Sequence, residues 1–270
     1  MARDKFYTAV DIGTDKVTSI MARVGSEGEL KVLGTGVVTS QGMQKGRIEN
    51  IVEVQEAVRT SMEEAQRYIG DAAPTDVYTS VTGSHLSSLN TKEVVENPDD
   101  VGDITRKLLD RLLRGSFPDV GHDQEVLHVI PIGYHVDGMS GIRNPVGLHG
   151  NLVEVEAHVV MGDSVTLKNT VKAIEGGKAS VKSMVLHSLA SAESTLTGDE
   201  RELGVVLADI GGGTTDIVIY RQGQPWYSAV IPVGGSQLTR DLSVALKTPL
   251  YMTEEMKIKW GSVMPETIPA

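Results

Sequence analysis

Apolar positions near the start of the chain fall into three short runs, 5–12 (KFYTAVDI), 17–24 and 30–38. They are separated by Gly13-Thr14-Asp15-Lys16 and Gly25-Ser26-Glu27-Gly28. Runs of this length bounded by turn residues predict a meander of three strands. The period then changes. Val54, Val58, Met62, Ala65 and Ile69 follow one another at steps of four, four, three and four, one face of a helix. Asn50 stands at the N-cap position with Glu53 three residues on, the arrangement of a capping box, and Gly70 suits the far end. A helix over 51–69 and a strand over 76–82 are expected.

Between about 85 and 162 the pattern changes character. A short helix at 103–114 is expected, with Asp103 as its cap and Ile104, Leu108 and Leu112 on one face. Strands are expected at 125–136 and 151–161, with the loop GMSGIRNPVGLHG between them. Helical spacing returns at 164–175. A strand at 180–186, a helix at 188–196, strands at 204–210, 215–220 and 226–233, and helices at 236–246 and 253–260 complete the reading. Strands interleaved with crossover helices predict an α/β sheet flanked by helices, with 85–162 as an inserted subdomain.

One segment occurs twice. Ala9-Val10-Asp11-Ile12-Gly13-Thr14 resembles Leu207-Ala208-Asp209-Ile210-Gly211-Gly212-Gly213-Thr214. In both, an apolar strand runs into Asp-Ile-Gly, a tight turn, Thr and a second strand. The wide separation excludes a solenoid and fits two duplicated halves facing each other. Glycine turns bring backbone N–H groups close to an anion, and successive N–H groups form an anion-binding nest. A carboxylate at each strand end repels phosphate but holds the waters of a Mg²⁺ ion that bridges phosphates. Thr14, Thr214 and Thr215 carry hydroxyls for phosphate oxygens, and Asp216 is placed to orient an attacking water.

The candidate nucleotide contacts are therefore Gly13, Thr14, Asp15, Lys16, Gly211, Gly212, Gly213, Thr214 and Thr215. Asp11 and Asp209 are candidate Mg²⁺ ligands through water, and Asp216 and Asp11 the candidate catalytic pair. The plainer alternative is two glycine turns capped by Asx side chains. No GxxxxGK[ST] or GxGxxG occurs, so neither a P-loop nor a dinucleotide fingerprint is present.

Composition removes other classes. Lys+Arg 25 against Asp+Glu 36 gives a net charge of −11, which opposes nucleic-acid binding. The absence of cysteine excludes disulfides, thiolate metal sites and a cysteine nucleophile, and fits a reducing compartment. No apolar run approaches the ~18 residues of a membrane span. With no signal-peptide core at the N-terminus, a cytoplasmic location is expected.

His128, His135, His149 and His158 lack zinc-helix spacing. His158 alternates with Glu154 and Glu156, which predicts a solvated sheet face, and contact with a neighbouring subunit is a further reading of the insertion. Glu53, Glu56, Glu63 and Glu64 read as the wet side of a helix. Arg106, Lys107, Arg111 and Arg114 read as a charged helix face or as a contact for an anionic surface. Gly234-Gly235 is either a third close-approach turn or a simple helix entry.

The chain resembles the FtsA family of bacterial cell-division proteins, within the actin, heat-shock-chaperone and sugar-kinase superfamily. The resemblance is carried by the two Asp-Ile-Gly hairpins, by GMQKGRIENI and TSVTGSHLSSLNTKEVV, and by EVLHVIPIGYHVDGMSGIRNPVGLHGNLVEVEAHVV. It continues through LASAESTLTGDERELGVVLADIGGGTTDIVIY, IPVGGSQLTRDLSVALKT and EEMKIKWG. It implies actin-like, ribonuclease-H-type lobes (mixed sheets with flanking helices) with an inserted FtsA-type α+β subdomain. The implied division is 1–84 with 163–197 for the first lobe, 85–162 for the insertion, 198–248 for the start of the second lobe and 249–270 for the beginning of a fourth subdomain.

The resemblance also implies ATP with Mg²⁺ between the lobes, weak ATPase activity at most, polymerisation into protofilaments, and linkage of the FtsZ ring to the cytoplasmic face of the membrane. A cousin with the same insertion, a pilus-assembly platform ATPase, a small-molecule kinase of the superfamily, and a non-functional remnant are the alternatives. In LHSLASA, His187 stands where the family frequently has Glu, so that position's water-activating role does not carry over. Family members continue past EEMKIKWG with a complete fourth subdomain, an adenosine-contacting motif, an FtsZ-binding region and an amphipathic membrane helix. This chain is accordingly expected to be a truncated member with an incomplete second lobe, binding nucleotide weakly.

Overall fold

The computed structural model describes residues 5–67, 69, 75–98 and 102–264. The opening meander forms β1 (Lys5–Ile12), β2 (Lys16–Val24) and β3 (Leu30–Thr39), followed by the short hairpin β4 (Met43–Gln44) and β5 (Arg47–Ile48). Helix α1 (Ile51–Gln66) follows. The Asn50 side chain caps it by accepting from the N–H groups of Val52 and Glu53. The expected reciprocal half of the capping box is replaced, because the Asn50 N–H donates to the Gly42 carbonyl instead. The helix ends at Gln66 rather than 69, and Gly70 lies outside the described residues.

Next come β6 (Asp76–Val81), β7 (Leu86–Glu96), α2 (Arg106–Gly115), β8 (Gln124–Val136), β9 (Met139–Ile142) and β10 (Leu152–Asp163). The cap of α2 is Thr105, whose side chain accepts from the Leu108 N–H. Asp103 instead bridges to His149, because the chain enters the helix from a short extended contact. Then follow α3 (Ser164–Gly176), β11 (Ser180–Leu186), α4 (His187–Thr195) and α5 (Gly198–Leu203). The chain continues with β12 (Val205–Ile210), β13 (Thr215–Arg221), β14 (Gln224–Ile231), α6 (Gly235–Leu246) and α7 (Leu250–Trp260).

Besides the β4-β5 hairpin, three sheets organise the described residues. The first has the order β11-β6-β1-β2-β3, with the meander antiparallel and β1-β6 and β6-β11 parallel. Val10 and Ile12 of β1 alternate onto the face covered by Val54, Ala57, Val58 and Met62 of α1 and Ala173 and Ile174 of α3. That core fixes the end of β1, and with it Asp11. The second sheet is β7-β10-β8-β9, covered by α2 through Ile104, Leu108, Leu109 and Leu112. The third is the meander β12-β13-β14. Val160, Leu186, Leu189, Ala192, Val218 and Tyr220 form a core shared by the three sheets and α4.

Strand β7 escapes a periodicity reading because LSSLNTKEVVE is mostly polar, yet it pairs with β10 from Leu86↔Gly162 to Glu96↔Leu152. His158 is not on a solvated face. It is 0% exposed. Glu154 and Glu156 precede a bulge, and beyond it β10 runs beneath β14. There His158 Nδ1 meets Asn90 Oδ1 at 2.8 Å and Nε2 meets Ser228 Oγ at 3.0 Å. Ser88 Oγ donates to the Ser228 carbonyl (2.7 Å) and Asn90 Nδ2 to the Trp226 carbonyl (3.1 Å), so the inserted sheet docks on β14 through a satisfied polar seam.

Candidate functional site

The two Asp-Ile-Gly hairpins face each other across a cleft of about 630 Å³. Its lining includes Asp11, Gly13, Thr14, Asp15 and Lys16 from the first hairpin and Asp209, Gly211, Gly212, Gly213, Thr214 and Asp216 from the second. The turns are closed alike. The Gly13 N–H donates to the Lys16 carbonyl (3.0 Å), and the Gly211 N–H to the Thr214 carbonyl (2.8 Å). Between those closures, the N–H groups of Thr14, Asp15, Gly212 and Gly213 donate to nothing among the described residues. Unpaired donors converging on a cavity make an anion-binding nest.

The second turn is braced from behind. The N–H groups of Gly235 and Ser236, at the start of α6, donate to the carbonyls of Gly211 (2.9 Å) and Gly212 (2.8 Å). A Cβ on Gly234 would overlap both of those carbonyls, so Gly234-Gly235 is a close-approach turn whose neighbour is the glycine loop itself. Lys257 Nζ of α7 supports the entry by donating to the Gly235 carbonyl (3.2 Å) and approaching Thr239 Oγ1 (2.9 Å). Asp15 reaches across the cleft: its Oδ1 accepts from Ser236 Oγ at 3.0 Å, and its carboxylate fills the space a side chain on Gly212 would need. Thr215 is the one predicted contact that the structure turns away. Its hydroxyl donates to the Val233 carbonyl (2.8 Å) and pins β13 to the chain beyond β14.

The floor carries three carboxylates and one imidazole. Asp11 accepts from the Ser80 hydroxyl, and Asp209 Oδ2 from the Ser191 hydroxyl at 2.5 Å. The His187 ring lies between them, with Nδ1 3.3 Å from Asp11 Oδ1 and Nε2 3.2 Å from Asp209 Oδ2. Nδ1 is fully buried and off the line a hydrogen bond requires, so its tie to Asp11 is electrostatic. The contact with Asp11 raises His187 to about 9 against the opposing cost of burial, with Asp216 and Asp209 adding to it. Burial pushes the Asp11 carboxyl up, but His187 and Ser80 outweigh it and leave it below the ordinary carboxylate range. Asp216 is 1% exposed, and burial holds it above that range. Thr82 Oγ1 lies 2.7 Å from both its oxygens, and Thr214 Oγ1 donates to it at 3.2 Å.

Asp11 and Asp209, the pair expected to hold the waters of a Mg²⁺ ion, thus face each other across the His187 ring on the cleft floor. The imidazole lies between the two carboxylates. Ser80, Thr82, His187 and Ser191 complete the floor. None belongs to either hairpin, and only His187 had drawn notice in the sequence, as a departure from a pattern. The others are single hydroxyls on β6, the segment after it and α4, where spacing holds no signal.

Two family profiles match the chain: "Cell division protein FtsA" over residues 206–270 and "SHS2 domain inserted in FTSA" over residues 83–161. Among curated proteins, FtsA of Pseudomonas aeruginosa is 36% identical over 266 residues, covering 96% of this chain and 62% of that protein. FtsA of Neisseria meningitidis serogroup B is 34% identical over 260 residues with the same coverage, and FtsA of Escherichia coli K12 34% over 261 residues, with 96% and 61% covered. The chain thus spans about three fifths of the length of these relatives.

Among solved structures, the PilM–PilN type IV pilus biogenesis complex superposes with a TM-score of 0.69 at 14% identity, over 94% of this chain and 70% of that one. The ethanolamine utilization protein EutJ from Carboxydothermus hydrogenoformans gives 0.54 at 15% identity (96% and 63% covered). MreB5 of Spiroplasma citri bound to AMPPNP gives 0.50 at 12% (96% and 64%). At these identities the likeness concerns the fold.

Proposed function

The chain belongs to the FtsA cell-division family and has an actin-like fold with an SHS2-type insertion, and from that premise we propose that its cleft binds ATP through the phosphate chain. The observation that carries this reading is the set of unpaired N–H groups at Thr14, Asp15, Gly212 and Gly213, facing one cavity from two lobes. Lys16 adds a positive side chain to the same wall, and the hydroxyls of Thr14 and Thr214 complete the phosphate contacts. Asp216 is the group that would orient a water, aided by burial, which makes it a stronger base than an exposed carboxylate. Activity is at most a slow ATP hydrolysis.

The output in this reading is assembly. ATP favours one angle between the lobes, a shift between open and closed populations. Residues 1–84 and 163–197 act as the first lobe, 198–248 as the second with 249–270 joined to it, and 85–162 as the inserted contact module. Copies associate into filaments that link the FtsZ ring to the cytoplasmic face of the membrane. Support comes from the identity to FtsA proteins along 96% of the chain.

Titration with a fluorescent ATP analogue tests the site. Saturable binding displaced by ATP and ADP but only feebly by AMP is expected, because the terminal phosphates make the contacts. Equal displacement by AMP refutes it. Co-sedimentation with FtsZ polymers tests the assembly role.

A further inference from the structure

We propose that Lys45 and Arg240 form a cationic clamp on the phosphate chain, one side chain from each lobe, so that the chain of phosphates itself bridges the lobes; this rests on the nucleotide reading above. The nest opens on a second cavity of about 420 Å³. That cavity shares Thr14, Gly212 and Gly213 with the cleft, and its walls carry Lys45 of the β4-β5 hairpin and Arg240 of α6. Neither side chain has a hydrogen-bond or ion-pair partner among the described residues. The cleft floor holds three carboxylates, Asp11, Asp209 and Asp216, so a phosphate chain at the nest is drawn toward the unpaired cations. Glu49 and Glu53 also line the second cavity and repel phosphate, which confines an anion to the part bounded by the nest and the two cations.

The hairpin is seated against the nest. Its strand partners Met43↔Ile48 and Gln44↔Arg47 leave a two-residue loop, Lys45-Gly46, with φ of 49° and 75°. Positive φ at both positions is the type I′ arrangement, for which Asn-Gly is the easy sequence. A lysine at the first position takes up a left-handed backbone that Cβ-bearing residues adopt at a cost. Strain of this kind points to a use for the side chain. On one side the loop packs on the entry to the insertion: a Cβ on Gly46 would fall 2.7 Å from Gly83 Cα and 2.8 Å from the Thr82 carbonyl oxygen. On the other, Lys45 Cα would lie 3.1 Å from a Cβ on Gly213. The apex thus rests on the glycine loop of the second lobe while its strands belong to the first. Arg240 lies in the second turn of α6, whose start is hydrogen bonded to the same loop through Gly235 and Ser236.

The test measures binding of the fluorescent ATP analogue and of inorganic tripolyphosphate to the whole chain. Lys45→Met, which keeps the stem and loses the charge, and Arg240→Met are each expected to weaken both ligands about tenfold or more, the scale of a charge-assisted hydrogen bond, and to leave the feeble AMP binding as it is. Lys45→Arg should restore the affinity. Lys45→Gly should relieve the turn, holding or raising the melting temperature, and still bind weakly, a separation that a merely structural lysine would not give. Wild-type affinity in Lys45→Met or in Arg240→Met overturns the clamp and leaves the nucleotide reading standing. Absence of binding to wild type refutes both.

A second measurement reads the bridge itself. The chain has no cysteine, so Glu63→Cys on α1 and Glu255→Cys on α7 give a single spin-label pair across the lobes. Tripolyphosphate should shorten the distance between the labels in pulsed electron paramagnetic resonance, and adding Lys45→Met should remove the shortening. A distance that tripolyphosphate moves equally with and without Lys45 overturns the clamp, as does one that stays fixed although tripolyphosphate binds.

Discussion

Ile12 and Ile210 follow the two cleft aspartates in the same local sequence, yet Ile12 is 6% exposed and Ile210 72%. The residues before the aspartates differ likewise: Val10 is 1% exposed, and Ala208 belongs to the exposed positions of β12. Behind β1 lie α1 and α3, which close over Val10 and Ile12. The corresponding side of β12 presents Val206, Ala208 and Ile210 outward, while α6 and α7 pack mainly on each other. Both turns nevertheless close with the same hydrogen bond, at 3.0 and 2.8 Å. The turn is therefore a property of its own few residues, and burial of the strand behind it is a property of what else reaches that face.

The comparison breaks most directly by truncating both isoleucines. Ile12→Ala is expected to cost about 2–5 kcal/mol in urea unfolding, as for a buried isoleucine. Ile210→Ala should stay within about 0.5 kcal/mol, as for a surface change. Similar losses at both sites would show that the second strand face is covered in solution.

The contact between the hairpins is sharpened by pH. His187 is raised from 6.5 to about 9 by Asp11, Asp216 and Asp209, so its stabilisation is fully present below about pH 6.5 and lost as pH rises through about 9. The effect is about 3 kcal/mol at most. Melting temperature across that window should fall more steeply for wild type than for His187→Gln; parallel curves refute the tie.

A smaller effect is expected at Thr82, a half-buried residue just beyond β6 whose hydroxyl reaches Asp216 of the second hairpin. Thr82→Val removes a donor from Asp216 and should cost about 1–3 kcal/mol. It should also raise the Asp216 carboxyl further, because the Thr82 hydrogen bond lowers it. Carbon-detected NMR titration reads this, and an unmoved Asp216 would contradict the geometry. The smallest effect is expected at Arg143, which pairs with Glu202 at 2.5 Å between the insertion and α5, both side chains being exposed. Arg143→Ala should cost about 0–1 kcal/mol in thermal melts. A larger loss would mean that this pair, rather than the seam at His158 and Ser228, joins the insertion to the second lobe.

Where apolar residues keep a period, the chain declares its own elements. Helix α1 and the two meanders lie close to their expected spans, because each is set by side chains within a few residues of one another. The polar β7 gave no such signal: its pairing partner β10 lies more than fifty residues away, and the face it turns to β14 carries Ser88 and Asn90, whose side chains bond to that strand. The nest glycines and the aspartates were legible because each hairpin carries its chemistry in consecutive residues. Thr215 was misplaced because alternation along β13 turns its hydroxyl toward Val233.

By itself the sequence determined the two hairpins, their N–H donors and their carboxylates, since turn closure needs only local hydrogen bonds and glycine's freedom. Tertiary structure alone decided what stands between those carboxylates. Bringing β1, β6, α4 and β12 together places Ser80, His187 and Ser191 around Asp11 and Asp209. The charge of a floor assembled from four separate elements depends on distances that no spacing along the chain encodes.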